Sequence, residues 1–303
     1  MFRQNLRVDT FERQLAAIVG VSLLMAAYSF GRPVNLTTPR GENLSVEKIT
    51  VSLDERSSSI HDAQTLKLAS NEPPSTCYQF PTQFQGQTIY GVQLPRHQKA
   101  IALTFDDGPW PHNTSTVLTI LQQHQVKATF FVLGRNVAQY PHLIQQIATA
   151  GHAIGNHSWS HGYQDHSLEM AQAEIQQTTD IVKQHTGHKT ALFRPPGGFL
   201  DNGLVAQASS QKMVTVLWTI DDTYEGSVDL AVQNVIQNAT PGGIVLMHDG
   251  GGNRELMIKA LPLVISELKQ QGYQLVTIPQ LLNLADTQVR SEDAIDCMSS
   301  DLT

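Results

Sequence analysis

Ile101-Ala102-Leu103-Thr104-Phe105-Asp106-Asp107-Gly108-Pro109 is the stretch from which the fold can be read. Ile101, Leu103 and Phe105 alternate as in a strand, the apolar run stops at Asp106, and Gly108-Pro109 supplies a turn. A Gly-rich turn here would announce a phosphate cradle. Two adjacent carboxylates would repel a pyrophosphate instead, so an open doubly wound nucleotide-binding sheet is the weaker reading.

Working outward, the same unit recurs. A helix is expected over 113–121 and a strand over 128–133. Pro141 opens a helix with Leu143, Ile144 and Ile147 on its inner face, and Gly151 ends it. A short strand follows at 153–154. Ser167 can cap a helix that carries Leu168, Ala171, Ile175 and Val182 inward and closes at Gly187. Strands at 192–193, 214–220 and 244–247 alternate with a helix over 228–239. Pro262 is read as the start of the last long helix, Gly272 as its end, and 274–278 as the closing strand. Strand–helix alternation of this kind gives an α/β fold with a mostly parallel sheet. Its natural closed form is a (β/α) barrel of about seven parallel strands.

The ends of the chain read differently. Arg3, Arg7 and Arg13 precede an apolar run over 15–30, short of the roughly 20 residues that span a bilayer comfortably. A positive segment followed by such a run fits a secretory signal, with Ala27 and Ser29 as small residues near a cleavage point, or an uncleaved anchor. Residues 1–30 are therefore expected to be a signal peptide or membrane anchor. Residues 31–77, rich in Ser, Thr, Asn and Pro, read as a spacer of little structure, and 78–303 as the folded domain. The protein is expected to be exported: periplasmic, secreted, or held on the outer side of the cytoplasmic membrane by its N-terminal segment alone. Cys77 and Cys297 bracket the folded region, and an exported chain could pair them as a disulfide. With 20 Lys and Arg against 27 Asp and Glu, a net charge of -7, the chain offers no electrostatic footprint for nucleic acid.

The chemistry collects at strand exits. Asp106 and Asp107 follow the first strand, His157 and His161 the third, and Arg194 the next. Asp221 and Asp222 come after 214–220, and His248 and Asp249 after 244–247. In a parallel barrel these exits share one rim, where active sites of that architecture sit. Two imidazoles four residues apart can converge on one ion, and a carboxylate from another exit completes a face that leaves room for water and substrate. Consecutive strand residues point opposite ways, so Asp106 and Asp107 can divide the work between metal and water. Two close carboxylates push one pKa upward, and Arg194 is the cation placed to offset this. His248 suits the proton donor to a departing group.

Thr104-Phe105-Asp106-Asp107-Gly108, His157-Ser158-x-x-His161, Arg194-Pro195-Pro196-x-Gly198 and Leu246-x-His248-Asp249 resemble, in order, the motifs of the polysaccharide deacetylases, carbohydrate esterase family 4. The likeness covers about 95–285 and marks 78–303 as a catalytic domain. It implies a distorted (β/α) barrel, a divalent metal, usually zinc, and removal of N-acetyl groups from an amino-sugar polymer such as peptidoglycan or chitin. It casts Asp107, His157 and His161 as metal ligands, Asp106 as base, Arg194 as the residue positioning that base, and His248 as acid. Leu246 would wall the acetyl pocket, and the Gly197 N–H would face the developing oxyanion.

Two positions depart from the pattern. The family commonly has Tyr where this chain has Gly197, and an Asp-Trp pair where it has Tyr224-Glu225. Asp221 or Asp222 is then left to tune the catalytic histidine, and Tyr224 to shape the pocket. Two other readings differ in kind. A carbohydrate-binding protein on a degenerate enzyme fold would be expected to lose one of Asp106, Asp107, His157, His161, Arg194 and His248. An O-acetyl esterase, on acetylated xylan for example, would keep all six.

Overall fold

A computed structural model describes residues 81–221 and 226–285. The expected signal or anchor, the spacer, Cys77 and Cys297 lie outside them. No described helix is long and apolar enough to cross a membrane.

The strands are β1 (Thr88–Ile89), β2 (Ala100–Asp106), β3 (Thr129–Val132), β4 (Ala153–Asn156), β5 (Leu192–Phe193), β6 (Val214–Val216), β7 (Ile244–His248) and β8 (Gln274–Val276). Between and after them come α1 (Asn113–Gln123), α2 (Gly134–Gln139), α3 (Pro141–Thr149), α4 (Leu168–Thr186), α5 (Leu204–Ser210), α6 (Val228–Asn238), α7 (Glu255–Gln270) and α8 (Ile278–Ala285). The strands form one sheet, ordered β1-β6-β5-β4-β3-β2-β7, with β8 also on β2. Every pairing is parallel. β2 is buried along its whole length, as a strand covered on both faces must be. Ile101, Leu103 and Phe105 join the main core with Phe130, Val245 and Leu261.

The strand expected over 214–220 breaks after Val216. Ile220 instead bridges Val245 of β7 in parallel, and Leu246 N–H donates to Ile220 O at 2.8 Å. The chain that leaves β6 therefore runs along the free edge of β7. Among the described residues the sheet has eight strands rather than about seven, because β1 precedes the alternation and is too short to register as a pattern.

Ser167 does cap α4, accepting from Met170 N–H, and Gly187 ends it with φ 80. Leu168 was expected to point inward, but at the first position after the cap it is 69% exposed. Pro262 lies inside α7 rather than opening it. That helix begins at Glu255, whose N–H donates to the Asn253 side chain. α2, α5 and α8 are short helices that the sequence pattern did not reveal.

Candidate functional site

Parallel pairing brings the strand exits to one rim. Asp106 ends β2 directly opposite His248, which ends β7. Asn156 ends β4 opposite Phe193, so His157 and Arg194 leave the sheet side by side.

Arg194 is fully buried and each arm of its guanidinium has a partner. Nε donates to Val216 O at 2.9 Å and Nη2 to Leu217 O at 3.1 Å. Nη1 donates to Thr104 Oγ1 at 2.8 Å and to Asp106 Oδ1 at 2.7 Å. The plane also stacks on Phe131, 4.2 Å from its centroid. Burial lowers the proton affinity of Arg194, and the Asp106 charge opposes that. A carboxylate this buried is tolerable only because it is paired and hydrogen-bonded.

Asp107 has φ 71, a left-handed conformation uncommon outside glycine. Asn136 holds it there by donating to Asp107 O at 2.7 Å. Gly250 packs so closely on this peptide that a Cβ would overlap Asp107 O. The unusual φ defeats the expected opposition of the two carboxylates. Both face His157 Nε2, Asp106 Oδ2 and Asp107 Oδ1 each standing 3.6 Å away. His161 Nε2 is 3.2 Å from the same Asp107 Oδ1.

These three groups fit a cation. His157 Nδ1 lies 2.7 Å from Arg194 O; a carbonyl only accepts, so Nδ1 carries a proton, and in the neutral ring Nε2 is the lone-pair nitrogen facing Asp106 and Asp107. Asp107 Oδ1 is buried and has no hydrogen-bond partner among the described residues, with His161 Nε2 3.2 Å away. One ligand atom from each of Asp107, His157 and His161 lies within 4.8 Å of the others. Lone pairs crowded this way repel one another unless a positive centre lies between them, and two imidazoles with one carboxylate suit zinc. Burial alone would raise the Asp107 carboxyl. The close approach of His161 and the charges of His157, His161 and His248 outweigh it and hold the carboxyl below the usual range. Burial lowers the proton affinity of His157, and the charges of Asp106 and Asp107 oppose that.

The loop carrying both histidines is clamped by Glu174 on α4. Its Oε2 accepts from Trp159 N and Ser160 N, both at 2.8 Å, and its Oε1 from Ser160 Oγ at 2.7 Å. Ser158 N donates to Asn156 Oδ1 at 2.8 Å and His161 N to Ser158 Oγ at 3.0 Å.

Leu246 lies two residues before His248 on β7 and is buried on the same side of the strand. Gly197, φ 62, sits against Tyr163 and Phe199. Asp221 O accepts from Asn234 of α6 at 2.9 Å. Asp222 and Tyr224 lie outside the described residues.

Sequence reading missed two contributors, Glu174 and Arg254, and gave no role to a third residue that it did place at a strand exit, Asp249. Glu174 occupies the inward stripe of α4 with Ala171 and Ile175, where a carboxylate is out of pattern; that was its signal. Arg254 Nη2 stands 3.6 Å from Asp107 Oδ2, and nothing in its neighbourhood marked it. Asp249 is fully buried, accepts from Thr114 Oγ1 and leaves Oδ1 without a partner. Its carboxyl is pushed up, to about 7, by burial and by the like charges of Asp107 and Asp106, while that of Asp107 is held down.

The polysaccharide deacetylase family model matches residues 93–227. A peptidoglycan-N-acetylglucosamine deacetylase of Bacillus cereus is 38% identical over 195 residues, which are 63% of this chain and 91% of that protein. The crystal structure of a peptidoglycan N-acetylglucosamine deacetylase superposes with a TM-score of 0.61 at 34% identity, covering 66% of this chain and 94% of the other. A CE4 family pseudoenzyme from Bacillus anthracis superposes at 0.59 with 32% identity, over 64% of this chain and 68% of that one. With its strand exits, its Asp-His-His trio and a relative matched along nearly its whole length, the chain belongs to the polysaccharide deacetylase family.

Proposed function

We propose that this protein is a metal-dependent hydrolase that removes N-acetyl groups from an amino-sugar polymer, with peptidoglycan the first substrate to test and chitin-like glycans the second. The observation that carries this reading is the pairing of the Asp107–His157–His161 trio with a second carboxylate, Asp106, held by buried Arg194.

A divalent cation held by Asp107, His157 and His161, most simply zinc, would polarise the acetamide carbonyl and acidify a water beside it. Asp106, aimed by Arg194, accepts a proton from an attacking water as the water's oxygen bonds to the acetyl carbon. Gly197 N–H stabilises the charge gathering on the carbonyl oxygen. The C–N bond breaks as His248 hands a proton to the leaving amine, giving acetate and the free amino sugar. Leu246 walls the methyl pocket. Asp221 and Tyr224 are the residues left to tune His248 and close that pocket.

The sheet is taken as a distorted (β/α) barrel, supported by the Ile220–Val245 bridge between the segment after β6 and β7. Export, by a signal or anchor in residues 1–30, is part of the same proposal, since the glycan lies outside the membrane; Cys77 and Cys297 would then meet oxidising conditions and pair.

A degenerate binding protein is the alternative that the pseudoenzyme relative brings forward. The presence of Asp106, Asp107, His157, His161, Arg194 and His248 argues against it. The test is acetate release from peptidoglycan, chitin oligomers and acetylated xylan, with metal stripped and then zinc restored. Zinc-dependent release from an N-acetylated glycan supports the proposal. Release from xylan alone would make the protein an O-acetyl esterase, and no release with metal bound would favour a binding protein.

A further inference from the structure

Single exposed apolar side chains are ordinary on protein surfaces; adjacent exposed aromatics beside a cluster of polar groups are not. Tyr163 and Phe199 are 57% and 47% exposed, and they touch, with ring centroids 5.6 Å apart at 72°. Tyr163 also meets His161 edge-on at 5.1 Å, and His161 meets His157 at 4.9 Å. A continuous run of rings thus leads from the Asp107–His157–His161 trio to the surface.

The two loops that carry this corner are tied together. His166 N donates to Asn202 O at 3.0 Å. Gly203, φ 90, lets the chain turn where a Cβ would stand 2.8 Å from His166 O. Gly197 completes the fit. A Cβ there would lie 2.9 Å from both Tyr163 Cε1 and Phe199 Cε2, on a backbone already at φ 62. The aromatic pair occupies the space into which a side chain at 197 would project. The missing side chain and the exposed pair are therefore two halves of one arrangement.

We propose that Tyr163 and Phe199 form a sugar-stacking subsite, which takes the pyranose ring neighbouring the one whose acetamide meets the trio. One face of such a ring presents C–H groups that pack on an aromatic face while the hydroxyls at its edge stay in water, and Tyr adds a hydroxyl of its own. The rings meet at a steep angle, so they make a corner, one as floor and the other as wall. Continuity with the trio ties the occupant to the substrate rather than to a protein partner. The protein would then read its substrate as a glycan of several residues and discriminate against a lone N-acetyl sugar. This inference rests on the deacetylase reading above.

The test is acetate release by the zinc-loaded full chain on N-acetylglucosamine oligomers of increasing length, comparing wild type with Phe199→Ala and Phe199→Trp. Phe199 is half exposed and is not one of the Asp107–His157–His161 trio, so its removal is expected to spare both fold and metal site. Phe199→Ala is expected to lose about tenfold in kcat/KM on the longest oligomer, mainly through KM, and markedly less on the shortest; Phe199→Trp is expected to restore the difference. Identical dependence on chain length in wild type and Phe199→Ala would overturn the subsite. Should the wild type release no acetate at all, the deacetylase reading fails instead. Calorimetric titration with the longest oligomer then decides the subsite alone: weaker binding to Phe199→Ala upholds it, and equal or absent binding overturns it.

Discussion

Arg194 holds His157 through its backbone and Asp106 through its side chain: its carbonyl accepts from His157 Nδ1 at 2.7 Å while Nη1 donates to Asp106 Oδ1 at 2.7 Å. One residue therefore sets the tautomer of an imidazole in the Asp107–His157–His161 trio and the direction of the adjacent carboxylate. Arg194→Lys keeps the charge but cannot reach four acceptors in one plane, and it leaves Val216 O or Leu217 O buried without a donor. Each such loss costs roughly 1–3 kcal/mol. The expected outcome is a lower melting temperature and a fall in acetate release of about 100-fold or more, with zinc content retained because the carbonyl of residue 194 is unchanged. Wild-type turnover in this variant would show that Asp106 is not positioned by the guanidinium.

The division of labour between the adjacent carboxylates is separable. Asp106→Asn is expected to abolish turnover while zinc still binds at one per chain, because Asp106 stands beside the trio and not in it. His157→Ala is expected to lose zinc and activity together. Metal analysis alongside acetate release checks both. A fully metallated, inactive His157→Ala protein would remove that residue from the ligand set.

Glu174 is the anchor of the histidine loop, accepting three hydrogen bonds from Trp159 and Ser160. It touches no atom of the trio, so its effect must pass through loop geometry. Outer groups that orient ligands typically contribute about 10–100-fold in metal affinity. Glu174→Ala is expected to weaken zinc binding by that factor, while saturating zinc recovers most of the turnover. Competition with a chelator measures the first and a zinc titration of activity the second. Undiminished zinc affinity would mean the loop holds its shape without the clamp.

How much of this was legible depended on whether a signal was local. The strand exits were readable because an apolar run ending in Asp, His or Arg is a pattern in the chain itself, and parallel pairing then gathers the exits without further information. The facing of Asp106 and Asp107 was not readable. Alternation places them on opposite sides, and only the φ of 71 at Asp107, imposed by Asn136 and by Gly250 packing from elsewhere in the chain, turns both toward His157. The Pro262 reading failed for a similar reason: helix propensity marks it as a boundary, yet the buried face of α7, from Met257 through Leu268, carries the helix across it. Asp249 stood inside a quoted motif but drew no inference, since its burial and its contact with Thr114 are tertiary facts.

Asp249 gives the clearest pH signature. Its carboxyl is pushed from an ordinary 3.8 to about 7, first by burial and then by the charges of Asp107 and Asp106. An acid raised on folding binds its proton more tightly in the native state, so its contribution favours the fold at low pH and is lost as pH climbs from 3.8 toward 7. His152 has the opposite slope: burial and the Lys127 charge push it down to about 4, so it favours the fold as pH rises from 4 toward 6.5. The two slopes oppose each other in the wild type, so a single pH–stability curve isolates neither. Asp249→Asn imitates the protonated acid and removes one slope while leaving the other. In metal-free protein, where no cation offsets Asp106 and Asp107, the variant's stability advantage is expected to widen as pH rises through this range and to level off above it. Its size should be a few kcal/mol at most, one pKa unit being about 1.4 kcal/mol. Urea midpoints of the two proteins measured across the range give the difference directly, and a gap that stays constant would mean that Asp249 is ionised throughout.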